Sequence, residues 1–201
     1  MKVTSVSILR HNGPNADPFM LGTATDLQQF NYFQRSSVRE MLVFTSRTIA
    51  QRTPENSRQS VEHQEYVAHV HNRGGLVGIV FVDREYPTRS AFALLSRVLD
   101  EYCETIGARD AWRRMQADST DGNSMLEAAL VKYQDPAQAD KLLKVQKELD
   151  ETKIVLHKTI DSVLDRGEKL NSLVEKSTDL SMASQMFYKQ ARKQNQCCTL
   201  M

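Results

Sequence analysis

The C-terminal part of the chain carries a long seam of apolar residues at heptad spacing. Steps of three and four residues alternate through residues 142–191, which is the pattern of a helix that packs against other helices. The apolar positions of the seam are Leu142, Val145, Leu149, Leu156, Val163, Leu170, Leu173, Leu180, Phe187 and Ala191. No proline follows Pro136, and Gly167 is the only glycine after it. The pattern predicts one long C-terminal coiled-coil helix, roughly 75 Å at about 1.5 Å per residue, which needs partner helices because it cannot bury its seam alone.

Arg166 stands in the middle of the seam, where a core residue is expected. A guanidinium group carries only hydrogen-bond donors, so a buried arginine needs oxygen acceptors from elsewhere. One interpretation is a coiled coil in which the arginine reaches solvent and fixes the register at some cost in stability. The other is a bundle in which neutral acceptors such as glutamine, from three other helices, surround the guanidinium.

Residues 163–170, with the sequence VLDRGEKL, and the seam around them resemble the SNARE motif of the R-SNAREs. The resemblance implies a SNARE coiled-coil motif over residues 138–198, in which Arg166 is the polar zero layer and the apolar seam positions are core layers. It implies assembly with Qa, Qb and Qc SNARE helices, which zip from the Leu142 end toward the C-terminus. It also implies tethering complexes as partners and disassembly by NSF with its SNAP adaptor.

Residues 1–134 alternate between strand and helix patterns. β-branched residues mark strands over residues 2–10 and 19–25, and a mostly apolar run over residues 76–82 predicts a buried central strand after a glycine-containing turn at 72–75. Helical patterns follow the second strand and the central strand. This order predicts an α+β domain in which helices cover an antiparallel sheet.

Helix starts are marked by capping residues. Ser37 with Glu40, and Ser124 with Glu127, have the spacing of capping boxes and predict two helix starts within the domain. Pro136, preceded by an aspartate that can act as the N-cap, predicts the start of the long helix. The domain is therefore expected to end just before this proline.

The order of elements and three segments, FQRSSV at 33–38, DREYP at 83–87 and KYQDP at 132–136, resemble the longin domain of the prenylated, YKT-type R-SNAREs. The resemblance covers essentially the whole chain. It implies a profilin-like longin fold for residues 1–134 and a v-SNARE that drives vesicle membrane fusion. It further implies traffic between ER and Golgi, within the Golgi, and at endosomal, vacuolar and autophagosomal membranes.

Phe44 and Val43 lie away from the core-facing stripe of the first predicted helix. That stripe follows Val38, Leu42 and Ile49, and Phe44 lies about 120° from its centre. At least one of the two side chains is therefore expected to be partly exposed. It is either a scattered surface residue or part of an apolar groove for a partner segment. In the second case, we expect the longin domain to hold the SNARE segment closed and the groove to shelter a lipid chain.

Residues 197–201 form a tail with two cysteines. Cys198 begins the C-terminal box CTLM, whose terminal methionine typically directs farnesylation, although a cysteine at this position also occurs by chance. One prenyl chain holds a protein only reversibly at a membrane, so Cys197 is expected to carry a palmitoyl group or a second prenyl group such as geranylgeranyl. Lys189 and Arg192 would add attraction to anionic headgroups. These covalent lipids are the only cofactors that the sequence predicts.

Charge and hydropathy argue against two other classes of protein. The formal net charge of +1 leaves no basic excess to neutralise nucleic-acid phosphates. No run approaches the roughly 20 apolar residues of a membrane span, and the N-terminus lacks the apolar core of a signal peptide. We therefore expect a cytoplasmic protein that cycles to the cytosolic faces of Golgi, ER, endosomal and vacuolar membranes through its lipid anchor.

The sequence offers no catalytic constellation. His63, His69 and His71 are the only clustered candidates for a metal site, and no acidic or cysteine set accompanies them. Glycine-rich phosphate loops, nucleophile elbows and zinc spacings of cysteines are absent. We predict a protein that is not an enzyme and has no metal site. The alternative function is a lipid-anchored longin-type adaptor or scaffold without fusion activity, against which the arginine in the seam argues.

Overall fold

The computed structural model describes residues 2–14, 16–63, 65–106, 108–145 and 154–197. The described strands are β1 (Val3–Arg10), β2 (Phe19–Thr25), β3 (Ser57–His63), β4 (Tyr66–Arg73), β5 (Leu76–Asp83) and β6 (Ile154–His157). The described α-helices are α1 (Arg35–Gln51), α2 (Thr88–Thr105), α3 (Asn123–Lys132), α4 (Pro136–Val145), α5 (Leu170–Lys176) and α6 (Met182–Cys197). Short 3-10 helices lie at Tyr32–Gln34, Ala108–Arg114 and Ile160–Ser162.

The strands form one sheet in the order β2-β1-β5-β4-β3-β6. β1 to β5 pair antiparallel, as the sequence of the domain predicts. β6 comes from the C-terminal segment and pairs parallel with β3, so the complete sheet is mixed rather than purely antiparallel. The physical reason is that the outer edge of β3 carries backbone groups that an added strand can satisfy.

The central strand β5 is covered on both faces. Val80 belongs to the apolar cluster beneath α2, together with Phe92 of that helix. Val77 and Ile79 belong to the cluster beneath α1, together with Ile49. Because side chains alternate along a strand, the continuous apolar run over β5 fills both clusters. This confirms the buried central strand predicted from the sequence.

The capping box predicted for α1 does not form. α1 begins at Arg35, so Ser37 is already inside the helix and buried. The Glu40 carboxylate accepts hydrogen bonds from Ser181 and Ser184 of the C-terminal segment instead. The prediction was wrong because a tertiary contact uses the carboxylate that a capping box would have used.

The start of α3 also differs from the prediction, whereas the start of α4 agrees with it. α3 begins at Asn123, so the predicted capping serine lies within the helix. The Asn123 amide oxygen accepts a hydrogen bond from the Thr23 backbone at 2.8 Å, which ties α3 to β2. α4 begins at Pro136, and Asp135 Oδ1 accepts a hydrogen bond from Ala137 N at 3.0 Å, as an N-cap does.

The described part of the C-terminal segment is not one helix. Residues 154–197 are divided into β6, a 3-10 turn, α5 and α6, and Gly167 has a φ of +93° at the turn before α5. A lone helix would expose its whole seam to water, whereas folding back onto the domain buries Leu164, Leu170 and Leu180. The single long helix predicted from the seam is therefore not what this folded-back arrangement contains.

Candidate functional site: the surface that receives the C-terminal segment

The N-terminal domain, for which the sequence predicts a longin fold, contacts residues 154–197 along one edge and one face of its sheet, an arrangement that we call the closed state. At the edge, β6 pairs with residues 58–61 of β3. On the face, α6 lies along α1. Asp179, just before α6, pairs with Arg47 near the end of α1, whereas Ala191 lines a cavity with Val38 near its start. α6 therefore runs antiparallel to α1, and its C-terminal end points past the first turn of α1.

The closed state buries a set of apolar residues that the seam does not predict. Ile160, Leu164 and Val174 are 3%, 9% and 0% exposed and belong to the cluster beneath α1. Each directly follows a seam position, so the three form a second stripe one residue behind the first. This stripe is the signal from which the contact could have been predicted, since a coiled-coil helix needs only one apolar seam.

Only part of the seam is buried in the closed state. The seam residues that pack onto the domain are Leu170 and Leu180, which are buried, and Val163, Leu173, Phe187 and Ala191, which are half-buried. Leu156, on β6, is 60% exposed. Leu142 and Val145 belong to α4, but their side chains lie outside the description, as does the whole of Leu149. The closed state thus leaves apolar seam surface for another partner.

Arg166 is exposed at the turn that precedes α5. The structure does not bring it together with the buried seam residues. Glu168, two positions further, forms an ion pair with Arg52 of the longin domain at 2.8 Å. The hydrogen bond from Arg52 lowers the pKa of Glu168. Acceptors around the Arg166 guanidinium would have to come from other chains, so its zero-layer role stays a prediction.

A partly buried polar contact joins α1 to the start of α6. Glu40 Oε2 accepts a hydrogen bond from Ser181 N at 2.9 Å and from the Ser184 hydroxyl at 2.7 Å. Burial raises the pKa of Glu40, but the hydrogen bonds from the two serines outweigh it, so the pKa lies below its ordinary value. Charge-assisted hydrogen bonds of this kind are stronger than neutral ones. The contact therefore favours the ionised carboxylate and the closed state together.

Phe44 lies where α1 meets the C-terminal segment. It is half-buried and lines a cavity of about 260 Å³ together with Leu173, Ser177 and Asp179. Val43 is also half-buried and packs against the apolar cluster beneath α1. Of the two alternatives that the sequence left open, the geometry places Phe44 beside a partner segment. That segment is the chain's own SNARE motif.

Another cavity, of about 230 Å³, lies between α1, α6 and the sheet, and we call it the α1–α6 cavity. Most of its lining is apolar and comes from Phe30, Val38, Met41, Leu42, Ala68, Phe81, Phe187 and Ala191. Tyr188, also in the lining, donates a hydrogen bond from its hydroxyl to Asn171 at 2.8 Å, and burial raises its pKa. Burial lowers the pKa of His63, with Asp161 opposing the shift. Burial also raises the pKa of Tyr66, the third titratable group of the lining, so all three are neutral near pH 7, which suits an apolar occupant.

The histidines singled out as metal candidates are not gathered into a metal site. His69 is buried edge-on against Phe92, and its Nδ1 shares a hydrogen bond with Ser60 Oγ at 2.8 Å. Burial lowers the pKa of His69 to about 4, so it packs in the core as a neutral ring. In the part of the chain that the structure describes, there is no group of three or more residues suited to hold a metal ion.

The predicted lipidation sites lie at the end of α6. Cys197 is the last residue of that helix, with a side chain outside the description, and Cys198 follows outside the described residues. Among the described residues, there is no helix with both the length and the apolar character needed to cross a membrane. The two lipidation sites therefore stay predictions from the sequence.

Two family models and several known proteins match this chain. The Longin model, described as a Regulated-SNARE-like domain, matches residues 27–126, and the Synaptobrevin model matches residues 141–199. The VAMP-like protein YKT61 of Arabidopsis thaliana is 59% identical. The proteins named Synaptobrevin homolog YKT6 are 50% identical in Schizosaccharomyces pombe and 46% in Saccharomyces cerevisiae. Each of these alignments covers 100% of both chains.

Proposed function

This chain belongs to the YKT6 family of longin-domain synaptobrevin homologues, and we propose that its longin domain holds the SNARE segment inactive in the closed state until other SNAREs replace it. Membership makes the chain an R-SNARE of vesicle trafficking that partners other SNAREs. It also confirms the prediction that the chain is not an enzyme, because the family consists of trafficking proteins. The match to synaptobrevin over residues 141–199 argues against an adaptor without fusion activity.

The observation that carries the proposal is competition for the same residues. Leu170 and Leu180 are 2% and 6% exposed because they pack on the longin domain. Both are also seam positions, which a four-helix SNARE core would bury. β6 must likewise leave β3 before a helix can extend through Ile154–His157. The closed state and the four-helix complex therefore exclude each other.

The free energy that favours the closed form need only be small for closure to control assembly. A free-energy gap of about 3 kcal/mol keeps the open form near 1%. Full burial of one aliphatic side chain contributes about 1.5–3 kcal/mol before the cost of ordering the segment. Qa, Qb and Qc SNARE helices would bury the entire seam, including Leu156, and so gain more apolar burial than the closed state does. Their assembly can therefore overcome closure.

The lipid anchor is the second part of the proposal. Cys198 would carry farnesyl, and Cys197 would carry palmitoyl or geranylgeranyl. The α1–α6 cavity supports a sheltered lipid, because it is apolar and is bounded by the middle of the helix that leads to both cysteines. Shelter matters because each methylene exposed to water costs about 0.8 kcal/mol. The closed form would then cross the cytoplasm with its lipid covered until a bilayer takes up the lipid.

The open form would act at the membranes of the secretory and endosomal system. We place it at the cytosolic faces of ER, Golgi, endosomal, vacuolar and autophagosomal membranes, delivered there by tethering complexes. NSF and its SNAP adaptor would disassemble the four-helix complex after fusion. The released chain would then close again onto its longin domain, since α1 and β3 offer the same contacts as before.

Two substitutions separate closure from complex formation. Val174 is 0% exposed in the closed state but lies off the seam, so Val174→Asp should open the molecule and spare the core layers. Leu156 is 60% exposed in the closed state but lies on the seam, so Leu156→Asp should spare closure and damage the complex. Each variant is the control for the other.

The readouts are hydrogen exchange over residues 154–197 and fusion of vesicles that carry defined Q-SNARE sets. For Val174→Asp we expect faster exchange with fusion that is preserved or accelerated. For Leu156→Asp we expect unchanged exchange with slower fusion. Unchanged exchange in Val174→Asp would refute closure by the longin domain. Fusion at the wild-type rate in Leu156→Asp would refute the fusion role of the seam.

A further inference from the structure

Two aromatic side chains stand in solvent just before α1. Tyr32 is 75% exposed and Phe33 is 87% exposed. Their rings meet edge to face, with centroids 5.7 Å apart. The turn that carries them is stabilised by the Asn31 side chain, which accepts a hydrogen bond from Phe33 N at 3.3 Å. The fold therefore holds two neighbouring rings outward, and an exposed apolar patch of this kind indicates an interaction surface.

The aromatic pair lies at the end of the molecule toward which the C-terminal tail points. Phe30, two positions before Tyr32, lines the α1–α6 cavity together with Ala191. α6 continues from Ala191 to Cys197, which adds about 9 Å of helix at roughly 1.5 Å per residue. Because α6 runs antiparallel to α1, this extension leads past the start of α1. The pair and the cysteine-bearing tail therefore share one end of the closed state.

Positive charge surrounds the aromatic pair. Arg35 donates to two backbone carbonyl oxygens rather than to a carboxylate. Arg39, one turn further along α1, is exposed and has no ion pair within the described part of the chain, and Arg192 on α6 is exposed as well. Two acids line the crevice beside these arginines: Asp26, which is paired with Lys2 at 3.4 Å, and Glu127 of α3, which offsets only one of the arginines. The charge left over at this end is therefore cationic.

We propose that Tyr32 and Phe33, with Arg35 and Arg39, form a surface that docks the closed protein onto an anionic lipid bilayer beside its own tail. Aromatic rings favour the boundary between headgroups and acyl chains, and arginines near it attract lipid phosphates. One prenyl chain alone binds a bilayer only reversibly, so this surface supplies a second contact before the molecule opens. The proposal rests on the lipid anchor of the proposed function for delivery, but the contact itself needs only these side chains.

The first test measures binding of the full-length protein, farnesylated at Cys198, to vesicles of phosphatidylcholine and phosphatidylserine. Phe33→Ser removes the outer ring, and Met182→Ser is the matched control, since Met182 is 81% exposed at the opposite end of α6. We expect Phe33→Ser to lower the partition coefficient about tenfold and Met182→Ser to change it less than about twofold. Equal binding of the Phe33→Ser and wild-type proteins would overturn the proposal.

The second test locates the side chain in the bilayer. The substitution Phe33→Trp adds a fluorophore to a chain whose own Trp112 is 4% exposed and gives a constant background. Lipids with brominated acyl chains should quench the fluorophore introduced at position 33 but not one introduced by Met182→Trp. Absence of quenching at position 33 would contradict docking, whatever the vesicle affinity.

Replacing the lipid anchor by another tether separates the contribution of this surface to membrane binding from that of the anchor. A C-terminal histidine tag on the full chain, captured by nickel-chelating lipids, replaces farnesyl as the tether. Quenching at position 33 in this format, combined with failure of farnesyltransferase to modify Cys198 of the untagged chain, would support the surface and refute the anchor. Farnesylation without quenching in either format would refute the surface and leave the anchor intact.

Discussion

The Ser184 hydroxyl donates a hydrogen bond to the Glu40 carboxylate at 2.7 Å, across 144 positions of the chain. Ser184 is a polar position of the seam, yet it is 0% exposed in the closed state. A buried hydrogen bond to a charged group stabilises the folded form and is costly to break on one side only. This carboxylate of the longin domain therefore helps to position α6 on α1, together with the ion pair between Arg47 and Asp179.

Glu40→Ala should weaken the closed state by about 2 kcal/mol, because it removes the hydrogen bonds that Ser181 and Ser184 donate to a charged group. Hydrogen exchange over residues 181–192 should become faster, while exchange in β5 stays unchanged. Glu127→Ala is the control, since Glu127 is an exposed carboxylate on α3. Equal exchange in the Glu40→Ala and Glu127→Ala proteins would show that Glu40 does not hold α6.

The same carboxylate predicts how closure depends on pH. The pKa of Glu40 in the closed state lies below its ordinary value of 4.5. A lowered pKa contributes stability that is present above the ordinary value and is lost as the pH falls through the closed-state pKa. Closure should therefore stay constant from about pH 6 to 8 and weaken only below about pH 4.5. Hydrogen exchange over residues 181–192, measured from pH 6 downward, should show this loss of stability in the wild-type protein. The loss should be smaller in Glu40→Gln.

Gly167→Ala should shift the molecule toward the open form. Gly167 has a φ of +93°, which strains an L-residue by about 1 kcal/mol or more. In the extended helix, alanine is favoured over glycine by about 1 kcal/mol. The sum of about 2 kcal/mol corresponds to roughly a 30-fold change in the opening equilibrium, measured as tighter binding to preassembled Q-SNARE helices.

Gly13→Ala is the matched control for that change. Gly13 has a φ of +90° and an added Cβ there meets nothing within 4 Å, as is also true of Gly167. It lies between β1 and β2, in the longin domain, and is not part of the turn that precedes α5. Gly13→Ala should therefore lower the stability of the longin domain without changing the affinity for Q-SNARE helices. Similar gains in affinity for Q-SNARE helices in both variants would show that the conformation of Gly167 does not control opening.

Arg166→Gln should slow fusion with wild-type Q-SNAREs while leaving closure intact, because Arg166 is exposed in the closed state. A buried arginine layer is specific for its acceptors, and a fourth glutamine replaces charge-assisted hydrogen bonds with neutral ones. Changing one partner glutamine to arginine should restore fusion of the vesicles. A double change that fuses no better than Arg166→Gln alone would contradict the zero-layer role.

Cys198→Ser should abolish stable membrane association, because prenylation at this cysteine is the first of the two lipid signals. Cys197→Ser should leave a prenylated protein that washes off vesicles readily, since one prenyl chain binds only reversibly. Fractionation followed by mass spectrometry of the C-terminal peptide measures both effects. An unmodified Cys198 in the membrane fraction would contradict the predicted anchor.

Local patterns in the sequence were sufficient for most of the longin domain. The apolar run over residues 76–82 predicted the central strand β5, because only a strand covered on both faces is apolar at every position. Pro136 with its capping aspartate predicted the start of α4 to the residue. The seam and the arginine within it indicated the SNARE family, which the similarity to known proteins confirms. These features depend on residues close together in the chain, so a local pattern can predict them.

Only the tertiary structure decided where the C-terminal segment lies. The seam around Leu170 is compatible with one long helix among partners and with a folded-back segment, and its sequence is the same in both. Ile154–His157 form the strand β6 rather than a helix because the free edge of β3 accepts them. The position of α6 depends in part on Glu40, which the sequence had indicated as part of a helix cap. Ile160 and Val174 are buried because the cluster beneath α1 receives them. Contacts between distant parts of the chain supply this free energy, so the second apolar stripe in the sequence could indicate that the segment makes a further contact but not where on the domain that contact forms.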